Sequence, residues 1–402
     1  MVIKEFIKKH KFLVISLSTF VVASVSLSII LPISLSKKKK TVETKDPDPD
    51  PDVFVINDSN SSSLNIPSLG PEEKDPTLIV DIHTDLQKAY LNDNYTNATN
   101  YAQGTEELSR PLAIKVDFDG EDKPYKVYFS ENKDYSNPEV YDVTKSEFKA
   151  TNLKVDQSYY YNVMDGDTLV WKNSFKTSDQ IVRNLYVSGV TNVRDLGAYK
   201  VNEKMLNQGL ILRTGRINQN TETTPVDKIT AKGKKTMLEQ LKVKSEIDLR
   251  MVSNNEVGGL NEGVGALGES VHYYQCPMDY TTAMDTELNI NSTKKVFSIL
   301  GDASNYPTFF HCSIGTDRTG YIAFLIGAIL GISEDQLYRD YLFSNFGYIG
   351  GSRSVSTISG GYVKNIKDTS GSTLKEKATN YLLGLGVKQS EIDVVQNMMI
   401  PL

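Results

Sequence analysis

The stretch FFHCSIGTDRTG (309–320) places a cysteine and, six positions later, an arginine in a glycine-bracketed loop, in a chain with only two cysteines. A thiolate becomes a strong nucleophile when amide dipoles and a nearby cation depress its pKa. A guanidinium grips two phosphate oxygens at once. Gly315 lets backbone amides turn in around a tetrahedral anion, and Thr319 offers a hydroxyl to a sulfur that must leave again. These residue types describe attack of Cys312 on a phosphate monoester with Arg318 as clamp, a cysteinyl-phosphate, and its hydrolysis by water. Ser313, Ile314, Gly315, Thr316 and Thr319 are then the phosphate-binding positions. Cys-x5-Arg alone is a weak signal, because a lone cysteine is usually a small buried hydrophobe; the full string is specific.

Such a loop has to be held by rigid elements. PTFFHC (307–312) reads as a short buried strand. From Arg318 the run RTGYIAFLIGAILG is apolar and long enough for a buried helix. The loop thus meets a helix start, where free N–H groups and the positive dipole end attract an anion.

The leaving group needs a proton, and two aspartates can supply it. Asp317 lies in the loop beside the arginine, and Asp279, in CPMDY (276–280), is the alternative acid on a loop after a strand. Either must be protonated at the working pH. His311 precedes the nucleophile, but strand alternation turns it to the opposite face, so it reads as a loop-orienting residue. Arg194 and Asp195, with Asp248 and Arg250, read as paired charges supporting the loop. Cys276 reads as a buried small side chain, with a redox disulfide to Cys312 as the alternative. The four histidines show no metal-ligand spacing, and no metal or cofactor is expected.

HCSIGTDRTG resembles the loop of the cysteine-dependent tyrosine phosphatases, in the HCxxGKDRTG form of the bacterial tyrosine and dual-specificity group. NVRDLGAY (192–199) is similar to that group's NxRDLGGY motif, with Ala198 for a glycine, and GLILRTGRI, SEIDLRMVSNNE and DQLYRDYLFSN follow in the group's order. The resemblance covers 181–402. It implies an α/β phosphatase domain with Cys312 as nucleophile, Arg318 as clamp and, for members with this Asp-Arg pair, Asp317 as acid. The group's loop lysine, associated with phosphoinositide substrates, is Thr316 here, which tilts the expectation toward phosphotyrosine.

The rest of the chain suggests how this domain is presented. Residues 1–40 hold an uncharged stretch, 12–36, between basic flanks; it is long enough to span a bilayer, although Ser34 and Ser36 leave signal cleavage open. Residues 41–76 are Pro/Asp- then Ser/Asn-rich and read as a disordered linker. Residues 77–178 alternate in short runs with turn signals and read as an all-β sandwich, loosely similar to fibronectin type III modules. GYIGGSRSVSTISGG (347–361) reads as a surface connector, with a flap over the pocket as the alternative.

The expectation is therefore a multidomain chain, an all-β sandwich followed by an α/β phosphatase domain, membrane-anchored with the enzyme outside or secreted. Its partners are a phosphorylated protein or phosphoinositide, a surface partner for the sandwich, and a membrane. The net charge of −6 and the lack of a basic stripe exclude nucleic acid. A phosphoinositide phosphatase and a catalytically vestigial surface binding protein are the alternatives.

Overall fold

The computed structural model describes residues 50–58, 76–102, 104–219, 224–252, 265–281, 284–359 and 361–401. The uncharged stretch 12–36 lies outside these, and among the described residues no helix is long and apolar enough to cross a membrane.

Eight strands build the amino-terminal region: β1 (Val53–Asp58), β2 (Ile79–Val80), β3 (Ala113–Phe118), β4 (Tyr125–Ser130), β5 (Glu139–Val143), β6 (Glu147–Ala150), β7 (Ser158–Asp165) and β8 (Thr168–Thr177). They form a five-stranded sheet, β2-β8-β7-β4-β5, and a three-stranded sheet, β1-β3-β6. The long β7–β8 hairpin turns at Gly166, whose φ is +57°. Ile114, Val116 and Phe148 from one sheet share a core with Val127, Phe129, Tyr161 and Trp171 from the other.

Two expectations are corrected here. Residues 53–58, assigned to the linker, pair in parallel with β3. The region is also not all-β: α1 (Asp85–Asn92) and a 3₁₀ helix over 95–101 intervene between β2 and β3. Tyr90 and Ala98 from this insertion pack in the hydrophobic core of the carboxy-terminal region. Residues 46–402 accordingly make one compact unit.

The carboxy-terminal region is α/β. Strands β9 (Arg183–Asn184), β10 (Arg194–Asp195), β13 (Ile211–Thr214), β14 (Ser245–Asp248), β15 (His272–Gln275) and β16 (Thr308–His311) form a sheet ordered β15-β14-β16-β13-β10-β9, beside a small hairpin of β11 (Lys200–Val201) and β12 (Lys204–Met205). β15, β14, β16 and β13 are parallel to one another, and β10 pairs antiparallel with both β13 and β9. Every residue of β13, β14 and β16 is buried, as in strands covered on both faces. Phe310 joins the core on one face and Phe309 the core on the other.

Nine α-helices lie among the described residues. After α1 come α2 (Ala231–Lys235), α3 (Glu287–Leu300), α4 (Asp317–Leu330), α5 (Glu334–Phe343), α6 (Val355–Ser359), α7 (Tyr362–Asp368), α8 (Leu374–Leu385) and α9 (Gln389–Met399). α4 is apolar all round and is buried all round by its neighbours.

Candidate active site

β16 ends at His311, the loop takes Cys312 to Thr316, and α4 begins at Asp317, so the carboxyl end of a central strand feeds a helix amino terminus. Gly315 makes the turn possible. Its φ is +71°, and a Cβ there would lie 2.5 Å from the Thr214 carbonyl oxygen and 2.7 Å from the Gly215 nitrogen. Only glycine tolerates both conditions.

Cys312 is 2% exposed. Burial pushes its thiol pKa up, but the Arg318 guanidinium and hydrogen bonds from the Thr319 side chain and amide outweigh this, and the thiol lies below its ordinary value. Thr319 Oγ1 is buried and hydrogen-bonds no other oxygen or nitrogen. Arg318 is anchored rather than free-swinging. It donates to the carbonyls of Leu249 (3.5 Å) and Met278 (3.3 Å) and to Ser313 Oγ (3.2 Å). The ring of Tyr280, 54% exposed, lies 4.9 Å from the guanidinium carbon.

The underside of the loop is held by side chains from distant segments. Arg213 donates to the Gly315 carbonyl (2.8 Å), and Asn192 Nδ2 to the carbonyls of Ile314 (3.1 Å) and Gly315 (3.2 Å). Asn192 Nδ2 also reaches Thr316 Oγ1 at 3.3 Å, and Thr316 is wholly buried. Its side chain therefore turns into the fold, away from any ligand.

Below Cys312, His311 faces two acceptors: Glu246 Oε1 at 3.1 Å from Nε2 and the Cys312 carbonyl at 3.2 Å from Nδ1. Burial pushes the imidazole pKa down, but Asp248 and the hydrogen bond to Glu246 carry it above its ordinary value. His311 thus orients the nucleophile's backbone. Glu246, Asp248 and His311 offer three metal-ligand atoms within 4.8 Å of one another. Each carboxylate already has a partner: His311 Nε2 lies 3.1 Å from Glu246 Oε1, and Arg250 Nη2 lies 2.7 Å from Asp248 Oδ2.

The expected charge pairs divide. Asp248 pairs with Arg250, but Arg194 and Asp195 do not pair with each other. Arg194 and Arg213 both bind Asp340 of α5, while Asp195 binds Arg183 at 2.5 Å. Both cysteines are free thiols, and burial pushes Cys276 up to about 12.

The two candidate acids sit differently. Asp279 is at the surface, its Oδ1 accepting from the Thr281 amide and hydroxyl, which with Arg318 hold it below the usual carboxylate range. Asp317 accepts from Tyr341 Oη (2.9 Å) and, on both oxygens, from Arg353 (2.9 Å each). Burial raises its pKa, but Arg353, Tyr341 and Arg318 together bring it below the usual range. Arg353 of the Gly/Ser-rich stretch is therefore part of the site.

Glu246, Arg213, Asp340, Asn192, Tyr280 and Glu107 were not singled out in the sequence. For Glu246 a signal existed: in SEIDLR it shares with Asp248 the face that period-two alternation assigns to one side of β14. The other partners are far apart in sequence and leave no such mark.

A 36-residue stretch is 50% identical to a Cupriavidus necator protein that carries a tyrosine-protein phosphatase name; it spans 9% of this chain and 13% of that protein. Pseudomonas aeruginosa TpbA, solved with phosphotyrosine, is 17% identical with a TM-score of 0.25, over 43% of this chain and 87% of that one. The core catalytic domain of the S. cerevisiae PP-IP phosphatase SIW14, in complex with citrate, is 17% identical with a TM-score of 0.24, over 38% and 82%. Those TM-scores carry nothing further about this chain. The model of the tyrosine phosphatase family, however, matches residues 185–400, more than half of the sequence, and the chain belongs to that family.

Proposed function

We propose that this chain hydrolyses phosphate monoesters through a cysteinyl-phosphate on Cys312, with phosphotyrosine as the substrate class. The observation that carries the reading is a buried thiol of depressed pKa beneath an arginine already anchored by backbone carbonyls. The phosphoryl group sits in the loop 313–318, held by Arg318 and backbone amides. The Cys312 thiolate attacks phosphorus, the S–P bond forms, and the P–O bond to the leaving group breaks. Asp317 gives that oxygen its proton. Water then attacks phosphorus, giving its proton to Asp317, and the thiolate leaves with the Thr319 hydroxyl beside it.

Arg353, Tyr341 and Arg318 hold Asp317 below the usual carboxylate range, so its pKa must rise for it to donate. An incoming phosphate dianion, which offsets Arg318 and adds negative charge nearby, acts in that direction. Replacing Asp317 with Asn should cost about 10²-fold or more on phenyl phosphate and far less on p-nitrophenyl phosphate, whose leaving group needs little protonation. Equal losses on both would remove Asp317 from the role, and the same signature in Asp279→Asn alone would move the role there.

Phosphotyrosine is favoured over inositol phosphates by the rim. Tyr280 presents an exposed ring over Arg318, and Asp279 adds a surface carboxylate, which suits an aryl ester and repels neighbouring phosphates. The buried Thr316 adds no cation. An aromatic contact is worth about 0.5–1.5 kcal/mol. Tyr280→Ala should therefore lower kcat/KM for a phosphotyrosine peptide by about tenfold at most and leave a phosphoserine peptide unchanged. A wild-type preference for phosphoinositide over phosphotyrosine peptide would overturn this choice of substrate.

We also read the two-sheet region as a fibronectin III-like module that presents the enzyme to a surface partner, and residues 12–36 as a membrane anchor with the enzyme outside. Protease added to intact cells should release active enzyme by cutting between about residues 41 and 76; protection until lysis would place it inside.

A further inference from the structure

One carboxylate from the amino-terminal region reaches into the phosphatase domain. Glu107 lies between the 3₁₀ helix and β3, outside the family-matched stretch. Its Oε2 accepts from the Tyr348 amide at 3.0 Å and from the Thr191 hydroxyl, and its Oε1 accepts from the Ser109 amide at 3.2 Å and the Ser109 hydroxyl. Two arms run from it. One goes through Thr191 to Asn192, whose amide nitrogen holds the loop carbonyls of Ile314 and Gly315, while Ser109 Oγ accepts from the Asn192 backbone at 3.2 Å. The other goes through Tyr348 into the turn that carries Arg353 to Asp317. That turn is laced to the same segment by Leu108 N–H to the Phe346 carbonyl (2.7 Å) and Gly350 N–H to the Gly104 carbonyl (2.9 Å). Asn345 then fixes both backbone groups of Arg353, at 2.7 and 2.8 Å.

We propose that residues 104–109 complete the active site from outside the phosphatase domain, with Glu107 as the positioning residue that fastens both the Thr191–Asn192 loop to the phosphate loop and the Arg353 turn to Asp317. The need for a carboxylate follows from the donors. Each oxygen accepts from a backbone N–H, and neither donor can become an acceptor. Glutamine would set its NH2 against one of them. Burial carries the Glu107 pKa above its ordinary value, and the hydrogen bonds from Ser109, Thr191 and Tyr348 offset only part of that rise.

The inference rests on the reading of Cys312 as nucleophile, so its test has a readout that needs no turnover. Iodoacetamide alkylation of Cys312, followed against pH on the full chain, reports the loop through the thiolate. The groups that set this titration are Arg318 and Asp317 at the start of α4, the Thr319 donors, and His311 through the Cys312 carbonyl. Glu107→Ala and Glu107→Gln should both move the alkylation midpoint upward, toward an ordinary thiol, the glutamine variant by less. In turnover, Glu107→Ala should lose about 10²-fold in kcat/KM, the usual cost of misplacing a catalytic group by about 1 Å. The double variant with Arg353→Met should lose no more than Glu107→Ala alone, because the turn is already released.

A fall in melting temperature with an unmoved alkylation midpoint, or multiplicative losses in the double variant, would overturn the proposal. A shifted midpoint in a chain without phosphatase activity would support the positioning role and sink the proposed function instead.

Discussion

Asp340 offers the sharpest test of how the phosphate loop is held. It is 4% exposed and carries two arginines that are 0% exposed, Arg194 at 3.0 Å and Arg213, which in turn donates to the Gly315 carbonyl. Asp340→Asn keeps the shape and removes the charge, leaving two buried guanidiniums without a carboxylate. Breaking a buried pair by deleting one partner costs about 3–5 kcal/mol. For a domain of this size each kcal/mol moves Tm by about 2–4 °C, so the melt should fall by about 6–20 °C. The pH dependence follows from the direction of the shift. Burial raises the Asp340 pKa, but Arg213 and Arg194 bring it below the ordinary value. The stability it contributes is therefore present above the unfolded carboxylate pKa of about 3.9. It is lost as pH falls through the lower folded value. Urea unfolding of both proteins at neutral pH and in acid would measure this. The variant's deficit should be largest at neutral pH and shrink in acid. A neutral-pH deficit under about 1 kcal/mol, the scale of a surface pair, or one that grows in acid, would refute the reasoning.

Arg318→Lys should lower kcat/KM by about 10²–10³-fold, as loss of a preorganised donor does. It should also weaken inhibition by inorganic phosphate, since an ammonium has no fork; unchanged phosphate inhibition would argue against the clamp. Gly315→Ala should reduce kcat/KM by about 10²-fold. Its left-handed φ costs about 1–2 kcal/mol for any other residue, and the Cβ meets backbone atoms 2.5–2.7 Å away. Wild-type kinetics in that variant would mean that the loop relaxes freely. Asn192→Ala should raise the midpoint of Cys312 alkylation by releasing the carbonyls of Ile314 and Gly315, and an unmoved midpoint would leave Asn192 without a loop-holding role.

What the sequence made legible was local. The strand and buried helix around 307–330 follow from apolar run length, and the β7–β8 hairpin from its turn residues. The loop between strand and helix could be assigned chemistry because its residues are contiguous. The supports could not, because Arg194 and Asp340 are 146 positions apart, and nothing in local pattern pairs them. Glu107 is likewise read as a loop residue until Tyr348 and Thr191 are brought to it. Strand β1 hides behind the PDPDPD run, since its existence depends on parallel pairing with β3. Helix α1 does carry a local signal: Thr84 and Gln87 form a capping box at its start. A short helix among strands is overruled by the surrounding alternation unless its cap is read.

The central claim is that Cys312 becomes covalently phosphorylated during turnover. Rapid acid quench of the full chain during hydrolysis of p-nitrophenyl phosphate, followed by peptide mass spectrometry, tests it directly. The account expects a phosphoryl adduct on the peptide containing Cys312, retained longer in a variant slowed at the hydrolysis step, and no adduct or turnover in Cys312→Ser. Turnover in Cys312→Ser close to that of the wild type, with no adduct on Cys312 in either protein, would contradict it.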